Sequence, residues 1–461
     1  MSNFHVRSVG RRLAAGLLVA GIAIAVTACS SGGATPTASA TSSKPGEISG
    51  NIRFSWWGST ARSALIDQVI SQFEAKYPNV TVSGEPQANF PDYWTQLSVE
   101  AAAKNVPCVA MQATTYLANY TNPSVLMPLN SLIKDGTIST DGIPESIING
   151  GRANGASSGS IYMIGTGASS TTLVWNTTMA KQYGIPALTT KMTWDDYTKW
   201  LIAAQKKLPA GVSAIDIQGE WNAMDMLYAY ARGYGDDIYV KTKTGYKLGV
   251  TQKTLTDYFD WWANLQKAGV TTTPAQASEE PTTAGDDYLA QGKALVEVAT
   301  SNLLADQTTL NASKQVAAAT YFPYGPAKTN GNVFDVSGPS IAADCADKPA
   351  AAAFVNFWIN DPTAVATFAS NLGAVTNPKL LAPQLTATTN DPATTASLKF
   401  NDQMLKDNFP VQVHAAGYPT LLTQLQTVVQ NVQFGRQSAK AAASTFISEA
   451  NATLAQAAAA Q

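Results

Sequence analysis

The sequence predicts an α/β protein with two lobes, on three observations. Strand-like and helix-like patterns alternate from about Gly50 onward, that portion is too long for one hydrophobic core, and no repeat of solenoid period runs through it. Such alternation is what parallel sheets covered by helices require.

The opening elements set the pattern. Ile52, Phe54 and Trp56 alternate with Arg53, Ser55 and Trp57, which reads as a strand ending at Gly58. Leu65, Ile66, Val69, Ile70, Phe73 and Tyr77 then recur on one helical face, and Pro78-Asn79 stops that helix before a strand at Val80 and Val82. A second helix through Trp94, Leu97 and Ala101 leads to the apolar run 106–111, a buried parallel strand. Residues 161–164 and 171–175 read as strands, and Thr193-Trp-Asp-Asp196 as a capping box opening a helix with Tyr197, Trp200, Leu201, Ala204 and Leu208. Helices through Trp221, Met224, Leu227 and Tyr228 and through Leu255, Tyr258, Phe259, Trp262 and Leu265 follow. Strands are expected at 294–298, 316–322 and 333–342, and helices at 350–359, along Leu421, Leu422, Leu425, Val428, Val429 and Val432, and at 438–459.

The N-terminus reads as a secretion signal. Arg7, Arg11 and Arg12 precede an apolar stretch 13–26 too short for a permanent span, and Thr27-Ala28 supply the small residues of a cleavage site. Cys29 directly behind them resembles the lipobox of bacterial lipoproteins, which implies diacylation of its sulfur; the alternative is an ordinary signal with an incidental cysteine. Residues 29–49, dominated by Ser, Gly, Ala, Thr and Pro, form a flexible tether behind the 1–28 signal.

Composition excludes several functions. Removal of the signal leaves 27 Lys and Arg against 32 acids, a net charge near −5, and only 13% of residues are charged. There is no basic footprint for nucleic acid and no polybasic patch for anionic lipid, so membrane contact is expected through the lipid alone. Beyond Cys29 the chain has only His414, Cys108 and Cys345 of the softer metal ligands, so neither a zinc cluster nor a cofactor is expected. His414 sits in no catalytic motif and reads as a solvated or packing histidine.

Several segments, in order, resemble the extracellular solute-binding proteins (family 1, maltose-binding-protein-like) of ATP-binding-cassette sugar importers. They are Phe54-Ser-Trp-Trp-Gly58, Phe73-Glu-Ala-Lys-Tyr-Pro-Asn-Val80, Pro107-Cys-Val-Ala-Met-Gln112, Tyr116-Leu, Met127-Pro-Leu129 and Ile161-Tyr-Met-Ile-Gly165. The series continues with Leu173-Val-Trp-Asn176, Tyr183-Gly-Ile-Pro186, Met192-Thr-Trp-Asp-Asp-Tyr197, Gln291-Gly-Lys-Ala294, Ala350-Ala-Ala-Ala-Phe-Val-Asn-Phe-Trp358 and Phe434-Gly-Arg-Gln-Ser438. The chain departs from the family at Pro107-Cys108-Val109, where Pro-Asp-Val is common, and at Ala299-Thr-Ser-Asn302, where an aromatic often follows Gly-Ser. The resemblance implies a two-lobed periplasmic-binding-protein fold of type II with a hinge and a cleft. Its lobes would be 50–165 with 334–385 and 166–333 with 386–461, crossing near 165–168 and 323–334 with a third return around 377–391. Gly165 and Gly167 would absorb backbone rotation at the first crossing.

The implied function is capture of a carbohydrate, a di- or oligosaccharide, by a monomeric lipoprotein on the extracytoplasmic face of the cell membrane. Delivery would be to the membrane permease subunits of an ABC importer. A sugar site needs flat aromatics for C–H faces and amides or carboxylates for hydroxyls. Trp57, with Ser59 and Thr60 beside it, leaves the first strand at the end where α/β sheets bind ligands, and Gln112 and Tyr116 leave the third at the same edge. By resemblance, Trp221 with Asn222, the strand end Thr300, Ser301 and Asn302, and Tyr418 would line the other lobe; Trp57 and Trp221 also fit a core. Trp261 and Trp262 read as core.

The rival class is a surface-anchored glycoside hydrolase, which needs two carboxylates across a sugar. Asp195/Asp196, Asp236/Asp237, Glu279/Glu280 and Asp286/Asp287 are adjacent pairs that point apart, so no enzyme activity is expected. In the resembling family the strands carrying Cys108 and Cys345 are neighbours. Either a disulfide or two separate buried thiols fits there.

Overall fold

The computed structural model describes residues 45–122, 124–152, 159–217, 220–279, 287–304, 316–387 and 392–459, with the backbone alone at 45, 220–223, 303 and 392. The signal, Cys29 and most of the tether lie outside the described residues, as do Glu280 and Asp286 and the side chains of Trp221 and Asn222. No described helix is long and apolar enough to cross a membrane.

Strand β1 (Gly50–Trp57) buries its last four residues. Gly58 turns the chain at φ +134°, and Ser59 Oγ accepts the Arg62 N–H at 3.3 Å to start α1 (Thr60–Lys76). Ile66, Val69, Ile70 and Phe73 form the buried stripe of α1, whose crossover returns the chain as β2 (Val80–Gln87), parallel to β1. Asn89 caps α2 (Phe90–Ala102), and β3 (Val109–Ala113) then lies parallel to β1 on its other side. The strand expected at 106–111 is displaced toward Ala113 because it pairs with a later strand as far as Ala113, while Pro107 has no N–H for a ladder. Of the expected strand 161–164 only Ile161 makes a bridge, to Arg152. Tyr162 N–H instead bonds the Gly151 carbonyl at 2.8 Å, so this apolar run is buried without being a strand.

Strands β4 (Gly167–Ser169) and β5 (Thr171–Asn176) are separated by Ser170 alone yet belong to different sheets. Helix α3 (Trp194–Gln205) opens on the Thr193–Asp196 capping box, with both reciprocal bonds present. Then come α4 (Glu220–Gly233), the hairpin β6 (Tyr239–Lys241) and β7 (Tyr246–Leu248), and α5 (Gln252–Lys267). Strands β8 (Val296–Thr300) and β9 (Ala317–Thr320) flank β5, both antiparallel.

The chain re-enters the first sheet as β10 (Asp335–Ile341), antiparallel to β3 and β4, followed by α6 (Lys348–Asn360) and β11 (Ala374–Val375). Helices α7 (Pro392–Lys406), α8 (Tyr418–Gln433) and α9 (Ala439–Ala459) complete the chain. The two lobes are thus a six-stranded sheet of order β11-β4-β10-β3-β1-β2 and a three-stranded sheet of order β8-β5-β9, each with its own apolar core. Phe54, Phe73, Phe354 and Trp358 centre the first core; Tyr197, Leu227, Tyr258, Leu421 and Phe446 centre the second. Cys108 and Cys345 are joined by a disulfide with Cα atoms 4.7 Å apart.

Three chain segments run side by side where the lobes meet. Ser170 exchanges bonds with Ser301, its N–H to Ser301 Oγ at 3.0 Å and its carbonyl to Ser301 N–H at 2.8 Å. Asn332 Nδ2 donates to the Thr171 carbonyl at 3.0 Å, and Phe334 pairs with Val411 through N–H bonds to Pro410 and from Gln412. Gly165 and Gly167 do not have positive φ; they provide room instead. A Cβ would strike Val336 and Ile147 from Gly165 and the Leu372 carbonyl from Gly167.

Candidate functional site

Two groups of side chains stand at the sheet ends near these crossings. The first is an aromatic wall at the C-terminal ends of β1 and β3. Trp57 packs with ring centroids 5.0 Å from Phe90, 5.2 Å from Tyr93 and 5.7 Å from Trp94, and Tyr116 stacks on Trp94 at 4.4 Å and 14°. Helix α2 supplies Phe90, Tyr93 and Trp94 from one face, which explains why residues distant from Trp57 in the sequence cover it. Trp57 is only 7% exposed, so its ring is spent mainly on the wall. Tyr116 is similarly buried, whereas Ser59 and Thr60 are exposed at the start of α1. Gln112 in β3 is fully buried, and neither its Nε2 nor its Oε1 has a hydrogen-bond partner. A buried amide in that condition costs about 1–3 kcal/mol.

The second group is a charged corner beside the crossings. Thr171 Oγ1, at the start of β5, donates to Asp225 Oδ2 of α4 at 2.6 Å. Arg232, two turns further along α4, donates to the Gly331 carbonyl at 3.1 Å and to Gln412 Oε1. Asp335, the first residue of β10, has Oδ1 3.8 Å from His414 Nε2. The His414 ring lies 3.7 Å from that of Tyr418 and 6.0 Å from that of Tyr228. Burial pushes the Asp225 carboxyl up to about 7, reinforced by the charge of Asp335, and burial raises Asp335 likewise to about 7. Burial pushes His414 down to about 3, so its imidazole is neutral at physiological pH.

Of the residues expected at a binding site, Trp57, Gln112 and Tyr116 gather at the wall and Tyr418 joins the corner. Thr300 and Asn302 are partly exposed at the end of β8. Ser301 is fully buried, with Oγ donating to Asn401 and its carbonyl accepting from Ser397 Oγ at 2.6 Å. Its side chain therefore ties the crossing to α7. Trp221 and Asn222 lie in the first turn of α4, and their side chains are outside the described residues. Trp261 and Trp262 pack against the second core, Trp261 Nε1 donating to Thr198 Oγ1 at 2.8 Å.

Asp225, Arg232, Asp335 and Gln412 are not among the residues the sequence points to, and His414, which reads from the sequence as a solvated or packing histidine, is buried and packed against Tyr418 and Tyr228. One signal was available: Asp225 is a lone acid between Met224 and Met226 in an apolar helical run, and a charge in such a run needs a partner.

Structural comparison shows the fold in three solved proteins. An extracellular solute-binding protein family 1 member from Alicyclobacillus acidocaldarius is 24% identical, with 88% of this chain and 99% of that one covered at a TM-score of 0.67. An ABC substrate-binding protein from Listeria monocytogenes in complex with cycloalternan is 19% identical over 87% and 98%, TM-score 0.72. A periplasmic oligogalacturonide-binding protein from Yersinia enterocolitica in complex with saturated digalacturonic acid is 15% identical over 88% and 99%, TM-score 0.75. Residues 68–396 match the model of the bacterial extracellular solute-binding proteins, most of the body built from the two sheets, and the chain belongs to that family.

Proposed function

We propose that this protein is the lipid-anchored receptor of an ABC importer, capturing a di- or oligosaccharide between its lobes and presenting it to the membrane permease. The observation that carries this reading is family membership, joined to the C-terminal ends of β1 and β3, which carry aromatic rings and an unpartnered amide. Relatives of the same fold, the Listeria and Yersinia proteins, are described with bound saccharides. The expected lobes, 50–165 with 334–385 and 166–333 with 386–461, need one shift: β4 (Gly167–Ser169) lies in the first sheet, so the first crossing falls at Ser170. An open form would bind sugar on one lobe, and closure about the crossings would add the other's contacts, shifting the population toward the form the permease recognises.

In this reading Trp57, Ser59, Thr60, Gln112 and Tyr116 face the sugar from the first lobe. Trp221, Asn222, Thr300, Asn302 and Tyr418 do so from the second, whereas Ser301, also expected there, is fully buried and bonded to Ser170 and Asn401, so it braces the crossing behind them. The protein performs no chemistry on its ligand and works as a monomer outside the cytoplasm, held by acylated Cys29.

Thermal-shift screening of the mature protein against mono- and oligosaccharides tests this, followed by calorimetry on whatever stabilises it. A stabilising saccharide recovered intact is the expected result; turnover of that saccharide would support a hydrolase, and stabilisation by peptides or polyols alone would overturn the carbohydrate reading. Trp221→Ala should weaken sugar binding by roughly 1–3 kcal/mol without unfolding the lobe. For the anchor, Cys29→Ala should abolish labelling by a palmitate analogue and release the protein into the medium.

A further inference from the structure

The charged corner has more acid than base. Asp225 and Asp335 stand there with one guanidinium, that of Arg232, whose hydrogen bonds go to the Gly331 carbonyl and the Gln412 amide and not to either carboxylate. His414 is 1% exposed, its Nδ1 has no hydrogen-bond partner, and as a neutral ring it brings no charge. Tyr228, Tyr239 and Tyr418 complete the surroundings, all with phenols pushed well up by burial and therefore neutral. Among the described groups one carboxylate is in excess. Asp335 Oδ1 is itself buried and accepts no hydrogen bond; about a fifth of the Asp335 side chain, at its other atoms, remains open to solvent, so a ligand group reaches Oδ1 from that open side.

An excess carboxylate in such a place takes up either a proton or a cation from outside. Burial, which pushes both carboxyls up to about 7, favours the first of these responses when no ligand is bound. The second is available to a ligand. Among the described residues no trio of His, Cys, Asp or Glu is arranged to hold a metal ion, whereas an ammonium group needs only acceptors and aromatic faces.

We infer that the Asp225–Asp335 corner is a cation subsite of the ligand site, which takes the ammonium group of an amine-bearing saccharide. This rests on the carbohydrate reading above and narrows it. The ammonium donates to Asp335 Oδ1 and to the Asp225 carboxylate, which Thr171 holds in place, with the rings of Tyr228 and Tyr418 nearby. Binding displaces the proton that the corner otherwise holds.

The test is calorimetric titration at neutral pH with three matched ligands: the glucosamine trimer with free amines, its fully N-acetylated form, and a neutral glucose trimer. The free amine should bind at least tenfold tighter than either neutral form. In a repeat about one pH unit lower, where the sugar amine is already an ammonium and the corner holds its proton, its heat should also vary with the ionisation enthalpy of the buffer, reporting proton release. Asp335→Asn and, separately, Asp225→Asn should cut the preference to below threefold, with circular dichroism and unfolding midpoints certifying each fold. Neutral sugars bound as tightly as the amine, or a preference that survives both substitutions, would overturn the subsite and leave the carbohydrate reading standing. Silence of all three ligands, with stabilisation by non-saccharides only, would remove both.

Discussion

The aromatic wall of the first lobe and the charged corner beside the crossings solve opposite problems. At the wall, Trp57, Phe90, Tyr93, Trp94 and Tyr116 bury one another, and much of the stabilisation comes from apolar area and ring contacts. At the corner, Asp225, Arg232, Asp335 and His414 arrive from three separate stretches of chain and leave a carboxylate oxygen and an imidazole nitrogen without partners. An abundance of aromatics therefore locates a core before it locates a ligand. Unmet polar demand is the more discriminating signal where it is concentrated: single buried atoms such as Trp94 Nε1 in the wall lack partners, whereas Gln112 leaves both amide atoms unpaired and the corner leaves Asp335 Oδ1 and His414 Nδ1 so.

The largest expected effect lies on the wall side. Trp57→Ala should destabilise the first lobe by about 3–5 kcal/mol, the usual cost of truncating a buried tryptophan, measured by chemical unfolding. A loss below about 1 kcal/mol, with a large loss of affinity instead, would mean that the ring serves the ligand more than the core. That result would erase the contrast between wall and corner.

Next comes the bridge between Cys108 and Cys345, 237 residues apart in sequence. A cross-link over so long a loop restricts the unfolded chain strongly, and Cys345→Ala should cost roughly 2–4 kcal/mol. The loss should fall on the first lobe, so that a fluorescence signal from Trp57 and Trp94 shifts before one from Trp194 and Trp261. Identical midpoints in wild type and variant would show that the bridge closes a junction the packing already holds.

The corner yields a smaller effect whose sign depends on pH. His414 is pushed below its ordinary 6.5, so the unfolded chain binds more protons than the folded one between about 3 and 6.5, and stability falls as pH drops through that range. Asp225 and Asp335, raised to about 7, act in the opposite sense: the folded protein binds more protons between about 4 and 7, and acidification stabilises it. Removing the histidine with His414→Gln leaves the carboxyl effect unopposed. Between pH 7 and pH 5 wild type should lose about 2 kcal/mol relative to the variant. Parallel stability profiles for the two proteins would contradict a buried neutral imidazole.

What could be read from the sequence follows the same division. Strand β1 and helix α1 were legible because their periodicities are local and their ends carry Gly58 and Pro78. The capping box at Thr193 was legible for the same reason. Residues 161–164 were apolar enough for a strand, yet their hydrogen bonds go irregularly to Gly151 and Pro339, which no local pattern encodes. The corner is less legible still: Thr171, Asp225, Asp335 and His414 meet only because β4–β5, β10 and the segment before α8 run together at the crossings. The covering of Trp57 by α2 is likewise a property of packing, since a tryptophan at a strand end fits a site and a core equally.

The smallest effect separates the two meanings of an unpartnered group. Gln112 is fully buried in β3 opposite Gly338, with both amide atoms unpaired. Methionine has nearly the same length and no hydrogen-bonding demand, so Gln112→Met removes the unmet polarity without opening a cavity. The ligand-free protein should gain about 1 kcal/mol in stability, because replacing an unsatisfied buried group by an apolar one of similar shape relieves its desolvation cost. If the amide is held in reserve for a sugar hydroxyl, the same variant should bind saccharide about tenfold more weakly, a loss of about 1.4 kcal/mol. A gain in stability with affinity unchanged would assign Gln112 to the core and leave recognition on this side to Tyr116 and the exposed start of α1. A loss of stability would mean that the amide already has a partner in solution, such as a bound water, and would remove Gln112 as a sign of unmet demand.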